Sequence, residues 1–262
     1  METLPPVLEN APQEPPRTMS LASRLFNIFA TPGEVFEQIK NTPVSTANWL
    51  TPALTLIVVT WLGVSLIFSQ DSIQQQLKEI TDQAVEKQVQ KGKLTEQQAE
   101  QARAVAAKFG SLGSKIGAYS TPVLVGLVLP FWWGLLVWLI GTQALHADFS
   151  YMKGVEMVGL GGMVGVLDAI VRSLLILIMG NLFASPSLAL FLKQFDPQNP
   201  THSLLAVVNI MTFWSLAVRS IGLARLSSTR FGKAAAWVFG IWIIQTSVLV
   251  GLSLAAQKIA AR

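Results

Sequence analysis

The sequence predicts an all-α, polytopic membrane protein: a five-helix transmembrane bundle, entered by two interfacial amphipathic helices and interrupted by one extramembrane helical hairpin. Composition is the first reason. Of 262 residues, 51% are hydrophobic and only 13% charged, where a soluble domain carries about 25% charged residues. Mean hydropathy is +0.48, with eight Trp. The second reason is run length. Five segments, residues 49–69, 121–145, 155–179, 204–226 and 234–256, reach the roughly 20 mainly apolar residues that a helix needs to cross the hydrocarbon core.

The first 20 residues, METLPPVLENAPQEPPRTMS, are Pro-rich and acidic. They have no apolar stretch of the signal-peptide kind and too little apolar surface to offset the entropy of ordering, which predicts a disordered tail. Residues 21–46 follow, containing LFNIFATPGEVFEQIK. Thr31 is placed to cap a helix, Pro32 suits its first position, and Glu34 completes a capping box. Val35, Phe36 and Ile39 then share one face, as do Leu21, Leu25, Ile28 and Phe29 before the break. Both helices are too short to span, and the flanking tail offers nothing to pack against. They are therefore expected to lie in the membrane interface with their apolar faces down.

The membrane domain is expected over residues 47–262. Thr51-Pro52 and Thr121-Pro122 open the first two spans, each Pro in the first turn, where its missing N–H costs nothing. Pro130 should kink the second. Between them, residues 71–119 form the one sizeable polar region. Ile73, Leu77, Ile80 and Ala84 make a helical stripe. Gly92, between two lysines, suits a left-handed C-cap. Thr95 and Gln98 then open a second helix, whose inner face is Ala99, Ala102, Ala106 and Phe109. The hairpin reads as a solvated spacer or a docking arm.

Orientation follows from Lys and Arg in short loops. ARLSSTRFGK, residues 224–233, carries Arg225, Arg230 and Lys233 with no acid, which marks a cytoplasmic loop between spans four and five. Counting back puts the N-terminus in the cytoplasm and the C-terminus outside, as in a bacterial inner membrane. Arg24 and Lys40 agree. The basic residues of 71–119 do not count against this, because long loops translocate largely regardless of charge.

Asp168 and Arg172 are the chemically informative residues. They sit at i and i+4 in span three, on one helix face. Each costs about 2.5–3.5 kcal/mol at the bilayer centre, about what a dozen apolar neighbours gain at 0.3–0.6 kcal/mol each. The pair reads as an ion or proton site, or as a structural lock between helices. Asn209 and Arg219 in span four are possible polar partners. Gly161 and Gly165 form a GxxxG face for close helix packing, within the bundle or between copies. Arg225, Arg230 and Lys233 form a juxtamembrane basic cluster suited to anionic lipid headgroups. Phe131, Trp132, Trp133 and Trp138 read as bundle packing.

Several classes are excluded. The chain has no Cys and only two His, at positions 146 and 202. Thiol chemistry is therefore absent, and a histidine-rich metal site is not expected. No phosphate loop, HExxH or nucleophile elbow occurs, so neither an enzyme nor a cofactor is predicted. Net charge is +4, but the basic residues are interleaved with acids or sit at the ends of apolar runs. A nucleic-acid partner is not expected. The expected partners are the lipid bilayer, anionic lipids in it, and a membrane-protein partner or a second copy of the chain.

Phe29, Pro32, Phe36 and Ile39 precede the first span as "F-x-x-P-x-x-x-F-x-x-I". Later come Val208-Asn209-Ile210, Phe213-Trp214, Ile221-Gly222-Leu223-Ala224 and, after a short basic loop, Lys233-Ala234. With the GKLTEQQAE insert between spans one and two, this order resembles the Yip family of multi-pass membrane proteins, in its bacterial branch. The resemblance implies a five-span bundle with a cytoplasmic N-terminus. Eukaryotic members are tied to vesicle trafficking and lipidated Rab/Ypt GTPases, whereas bacterial members have no settled activity. The functional expectation is a non-enzymatic scaffold, adaptor or membrane-organising factor. The alternative is a small transporter or channel using Asp168 and Arg172.

Overall fold

The computed structural model describes residues 19–106, 110–192, 195–196 and 199–261. The expected tail falls almost wholly outside them, as does Phe109 of the hairpin. The regular structure of the described residues is helical: α1 (Leu21–Ala30), α2 (Pro32–Lys40), α3 (Ala47–Phe68), α4 (Asp71–Gln90), α5 (Glu96–Val105), α6 (Ser111–Leu139), α7 (Tyr151–Gly161), α8 (Met163–Met179), α9 (Pro200–Val207), α10 (Ile210–Leu226) and α11 (Phe231–Ala261).

Four stretches are long and apolar enough to cross a bilayer: Ala47–Phe68, Leu112–Ala144, Tyr151–Met179 and Phe231–Leu252. The third is α7 and α8 run together, because Gly162 between them keeps helical dihedrals. The predicted fourth run, 204–226, is different. It is broken between α9 and α10, and α10 has 17 residues. At 1.5 Å per residue that is about 26 Å, short of a core about 30 Å thick. The break has a local cause. The Asn209 side chain accepts a 2.8 Å hydrogen bond from the Met211 N–H, capping α10. The backbone before it turns aside to pair with residues 186–188: Leu188 N–H donates to Val208 O and Ile210 N–H to Pro186 O, both at 3.1 Å. Irregular backbone at membrane depth is tolerated only with such internal partners.

The glycine contacts show how the helices run. Gly159 abuts Trp49 and Gly63 abuts Ser173, so α3 and α7–α8 lie side by side in the same direction. Gly134 meets Val155 and Gly222 meets Met157. α11 lies against α10 on the outside, with Ile243, Ile244, Val248, Leu249 and Leu252 all more than half exposed. That apolar face is a lipid contact.

The hairpin at 71–119 keeps its predicted caps. Gly92 is left-handed at φ +66, and Thr95 and Gln98 form a capping box. Its stripe is displaced, however: Ile73 and Val85 are buried, while Ile80 and Ala84 face outward. The base of α4 packs on the far end of α8 and the loop after it, with Ile73 against Ile67, Ile176 and Ala184. Gln76 Oε1 accepts from the Leu182 N–H at 2.8 Å.

The two N-terminal helices also find a neighbour that their own region does not supply. The face expected to rest in lipid is covered by protein. Ile28, Val35, Phe36 and Ile39 are fully buried, in one core with Met157, Leu160, Leu216 and Leu223 of α7 and α10. Each such side chain gains roughly 1.5–3 kcal/mol on burial. Ser20 caps α1, and the chain turns at Thr31 before Pro32 opens α2. Phe26 on the outer side stays 73% exposed.

Candidate functional site: a membrane-depth groove and a sealed end

A cavity of about 410 Å³ lies between α3, α6, α8 and α10. α3 lines it with Trp49, Ala53, Leu56, Thr60, Val64 and Ile67, one face of the helix followed for 18 residues. α8 contributes Gly165, Asp168, Arg172 and Ile176 from its matching face, and α10 contributes Ser215 and Arg219. The walls are mostly apolar and the charges few. The groove is thus about 27 Å long at 1.5 Å per residue, close to the depth of the hydrocarbon core.

Asp168, Arg172 and Arg219 are therefore brought to one cavity. They are not brought into direct contact. The ion pairs among the described residues include Arg103–Glu86, Lys153–Glu156 and Arg225–Glu37 but none made by Asp168. Asn209 and Arg172 are the polar side chains that act on the Asp168 carboxyl group, Asn209 from the start of α10 and Arg172 from one turn further along α8. The Asp168 carboxyl oxygen Oδ1 is buried without a partner. Arg219 stands with its guanidinium carbon 4.4 Å from the centre of the Trp133 ring, a cation–π contact worth about 0.5–2 kcal/mol.

Asn209 thus has two tasks, capping α10 and meeting Asp168. Asn209→Ala should cost about 1 kcal/mol through the cap alone, read as a lower unfolding midpoint in detergent. Asn209→Asp keeps the cap acceptor but sets a second carboxylate beside Asp168. It should fall below the Ala variant; a rise above it would show that the two side chains do not meet.

The GxxxG reading changes. A Cβ on Gly161 would sit 3.5 Å from Val218, an ordinary contact, and one on Gly165 would meet nothing within 4 Å. Gly165 is the open floor of the groove. Close approach is made instead by Gly63, Gly134, Gly159 and Gly222, where a Cβ would lie under 3 Å from a neighbour. Of these only Gly159 belongs to the helix that carries Gly161 and Gly165.

At the other end of the groove lies a cluster that sequence reading passed over. Lys153 and Glu156, at i and i+3 in α7, are 6% and 0% exposed. Lys153 Nζ donates to Glu156 Oε2 at 2.5 Å and to Thr42 O at 2.9 Å. The other oxygen of Glu156 accepts from Asn48 Nδ2. Arg24 completes the chain, donating to Asn48 Oδ1 at 3.4 Å and to Gln38 Oε1 at 3.1 Å. This network ties α1, α2, α3 and α7 together. Lys40 Nζ donates to Ser228 Oγ at 2.6 Å, and Arg225 lies 3.9 Å from Glu37. Arg225, Arg230 and Lys233 are all exposed around this end. The only sequence signal was two opposite charges one turn apart at the start of a span, which looks like an ordinary interfacial flank.

The Yip1-domain family model matches residues 26–252. The chain belongs to the Yip1-domain family. The match runs from α1 into α11 and so takes in both the sealed end and the groove. This Yip1-domain protein is accordingly a multi-pass membrane protein in contact with lipid. No curated protein and no solved structure matches it significantly.

Proposed function

We propose that this Yip1-domain protein is a non-enzymatic scaffold or adaptor that holds a fixed polar platform at one membrane face. The observation that carries this is the sealed end. Residues 21–46 are clamped to the bundle by the Arg24–Asn48–Glu156–Lys153 network, so that Glu34, Arg230 and Lys233 stand exposed at fixed positions around it. A surface meant only to float in the interface has no use for a four-residue lock with three of its members, Asn48, Lys153 and Glu156, buried. In this reading α10 crosses as a fifth span, helped across its short length by the 186–188 pairing. The N-terminus and the basic loop 224–233 face the cytoplasm of a bacterial cell, the C-terminus lies outside, and residues 1–20, 21–46 and 47–262 form tail, platform and membrane domain. The basic loop meets anionic headgroups, each cation contributing about 1 kcal/mol.

The cysteine-free sequence makes topology directly testable. Thr229→Cys should be labelled by a membrane-impermeant thiol reagent only from the cytoplasmic side; labelling from outside overturns the orientation. Reconstituted in anionic vesicles, the protein should capture a membrane-protein partner or alter lipid order. If it does neither, the scaffold reading is lost.

The groove favours a second reading, a small transporter or channel with Asp168 as the ion or proton site and Arg172 as its counter-charge. Its test is liposome flux, which must fall in Asp168→Asn.

A further inference from the structure

Trp49 Nε1, Asp168 Oδ1 and Arg219 Nε are buried polar atoms with no protein partner, and all three residues line the groove. A buried unsatisfied donor or acceptor costs about 1–3 kcal/mol, and native structures keep few of them. Two of them, Trp49 Nε1 and Arg219 Nε, come from the same end of the cavity and point to an occupant there.

Their placement says what kind. Gly161 meets Val218 and Gly222 meets Met157, so α10 runs opposite to α7–α8. Arg219, one turn before Gly222, is therefore level with the start of the groove, where Trp49 abuts Gly159. Both orphan atoms at that level are donors, since indole and guanidinium nitrogens cannot accept. They require acceptor oxygens, and Arg219 requires negative charge. Beyond them the groove continues past Gly162 and Gly165, where no side chain fills the space, to Ile67 and Ile176. Asp168 lies about 14 Å further along, at 1.5 Å per residue from Gly159. With Arg172 and Arg219 against Asp168, the lining carries one net positive charge.

We infer that this groove holds one anionic phospholipid, its phosphate at Trp49 and Arg219 and an acyl chain laid along α3 and α8 over Gly165. A volume of about 410 Å³ falls within the 300–1,000 Å³ range of small-molecule sites. A compact ion or solute would leave most of the apolar length uncovered. An acyl chain uses all of it. The site is separate from the exposed basic cluster and does not depend on the scaffold reading.

The full chain, stripped of lipid in nonionic detergent, is titrated with phosphatidylglycerol, phosphatidylcholine of the same chains, or inorganic phosphate. Bound lipid is counted by native mass spectrometry, and the lipid-dependent rise in melting temperature is followed. Phosphatidylglycerol should bind one per chain and more tightly than phosphatidylcholine. Trp49→Phe keeps an aromatic side chain and removes the donor, so it should weaken retention about tenfold, the worth of one hydrogen bond to a charged group. The lipid-free melting temperature of that variant should hold or rise, because an orphan has been removed. Gly165→Leu, which fills the floor without removing a charge, should abolish the adduct. Arg230→Gln with Lys233→Gln should leave it intact.

Equal retention of the two lipids, or an adduct unaffected by both Trp49→Phe and Gly165→Leu, overturns the inference. So does displacement by inorganic phosphate, which would make the site a free-anion site. No one-to-one adduct at all likewise overturns it, and leaves the test of the scaffold reading untouched.

Discussion

Glu156→Ala is expected to cost the folded protein about 3–5 kcal/mol, the usual penalty for removing one partner of a buried ion pair. The reason is what remains behind. Lys153 is 6% exposed and would keep only the Thr42 carbonyl for its charge. Asn48, 1% exposed, would lose its acceptor, and Arg24 reaches the bundle through Asn48. One truncation therefore loosens the anchorage of α1 and α2 as well as α7. The comparison that isolates the charge is Lys153→Met with Glu156→Leu, where a similar volume is buried without ions. Such replacements are often neutral or stabilising, so the double variant should recover most of the loss in a micellar unfolding titration. Protease cleavage between α2 and α3 should rise in the single variant and not in the double. If single and double variants unfold together, the network contributes packing and no more.

Gly159→Ala should be the second most damaging change, at about 3 kcal/mol, the upper part of the range for overpacking a filled interface. A methyl group there would lie 2.3 Å from Trp49 Cβ and 2.4 Å from its Cα. Backbone cannot rotate away as a side-chain tip can, so α3 must be pushed off α7. The same substitution at Gly161 meets only ordinary contacts, and at Gly165 open space. Those two variants should unfold at or above the wild-type midpoint, since Ala is the better helix former by about 1 kcal/mol in a helix interior. Equal losses at all three positions would restore the GxxxG reading.

The all-helical membrane architecture was legible because lipid imposes simple rules. Run length, charge and capping chemistry are local quantities, and they identified α3, α6, α7–α8 and α11, the Gly92 cap and the Thr95–Gln98 box. The continuity of residues 204–226 was misread for want of a non-local fact. Asn209 has an ordinary helical neighbourhood on paper, and only its pairing with residues 186–188 breaks the run. At the site, Asp168, Arg172, Asn209 and Arg219 announced themselves as polar groups in apolar runs. Trp49, Lys153 and Glu156 did not, because residues at the end of a span look solvated until the structure shows something lying over them. What lies over Lys153 and Glu156 is the segment of α1 and α2, whose amphipathic pattern is equally compatible with a lipid surface and a protein one.

The Lys40–Ser228 hydrogen bond joins residues 188 positions apart, and the core beneath it joins Phe36 to Leu223. During synthesis the first two helices leave the ribosome long before their seat on α10 exists. Until α7 has emerged, the apolar face of Ile28, Val35, Phe36 and Ile39 has no protein to rest on, and until α10 follows it has only part of its seat. The nearest apolar phase is then the bilayer surface. The same residues that make a docked clasp in the finished molecule are suited to wait as a surface-bound pair while the chain is built. α10, on arriving, completes the seat that α7 begins, so full closure of this end requires that synthesis has passed Ser228.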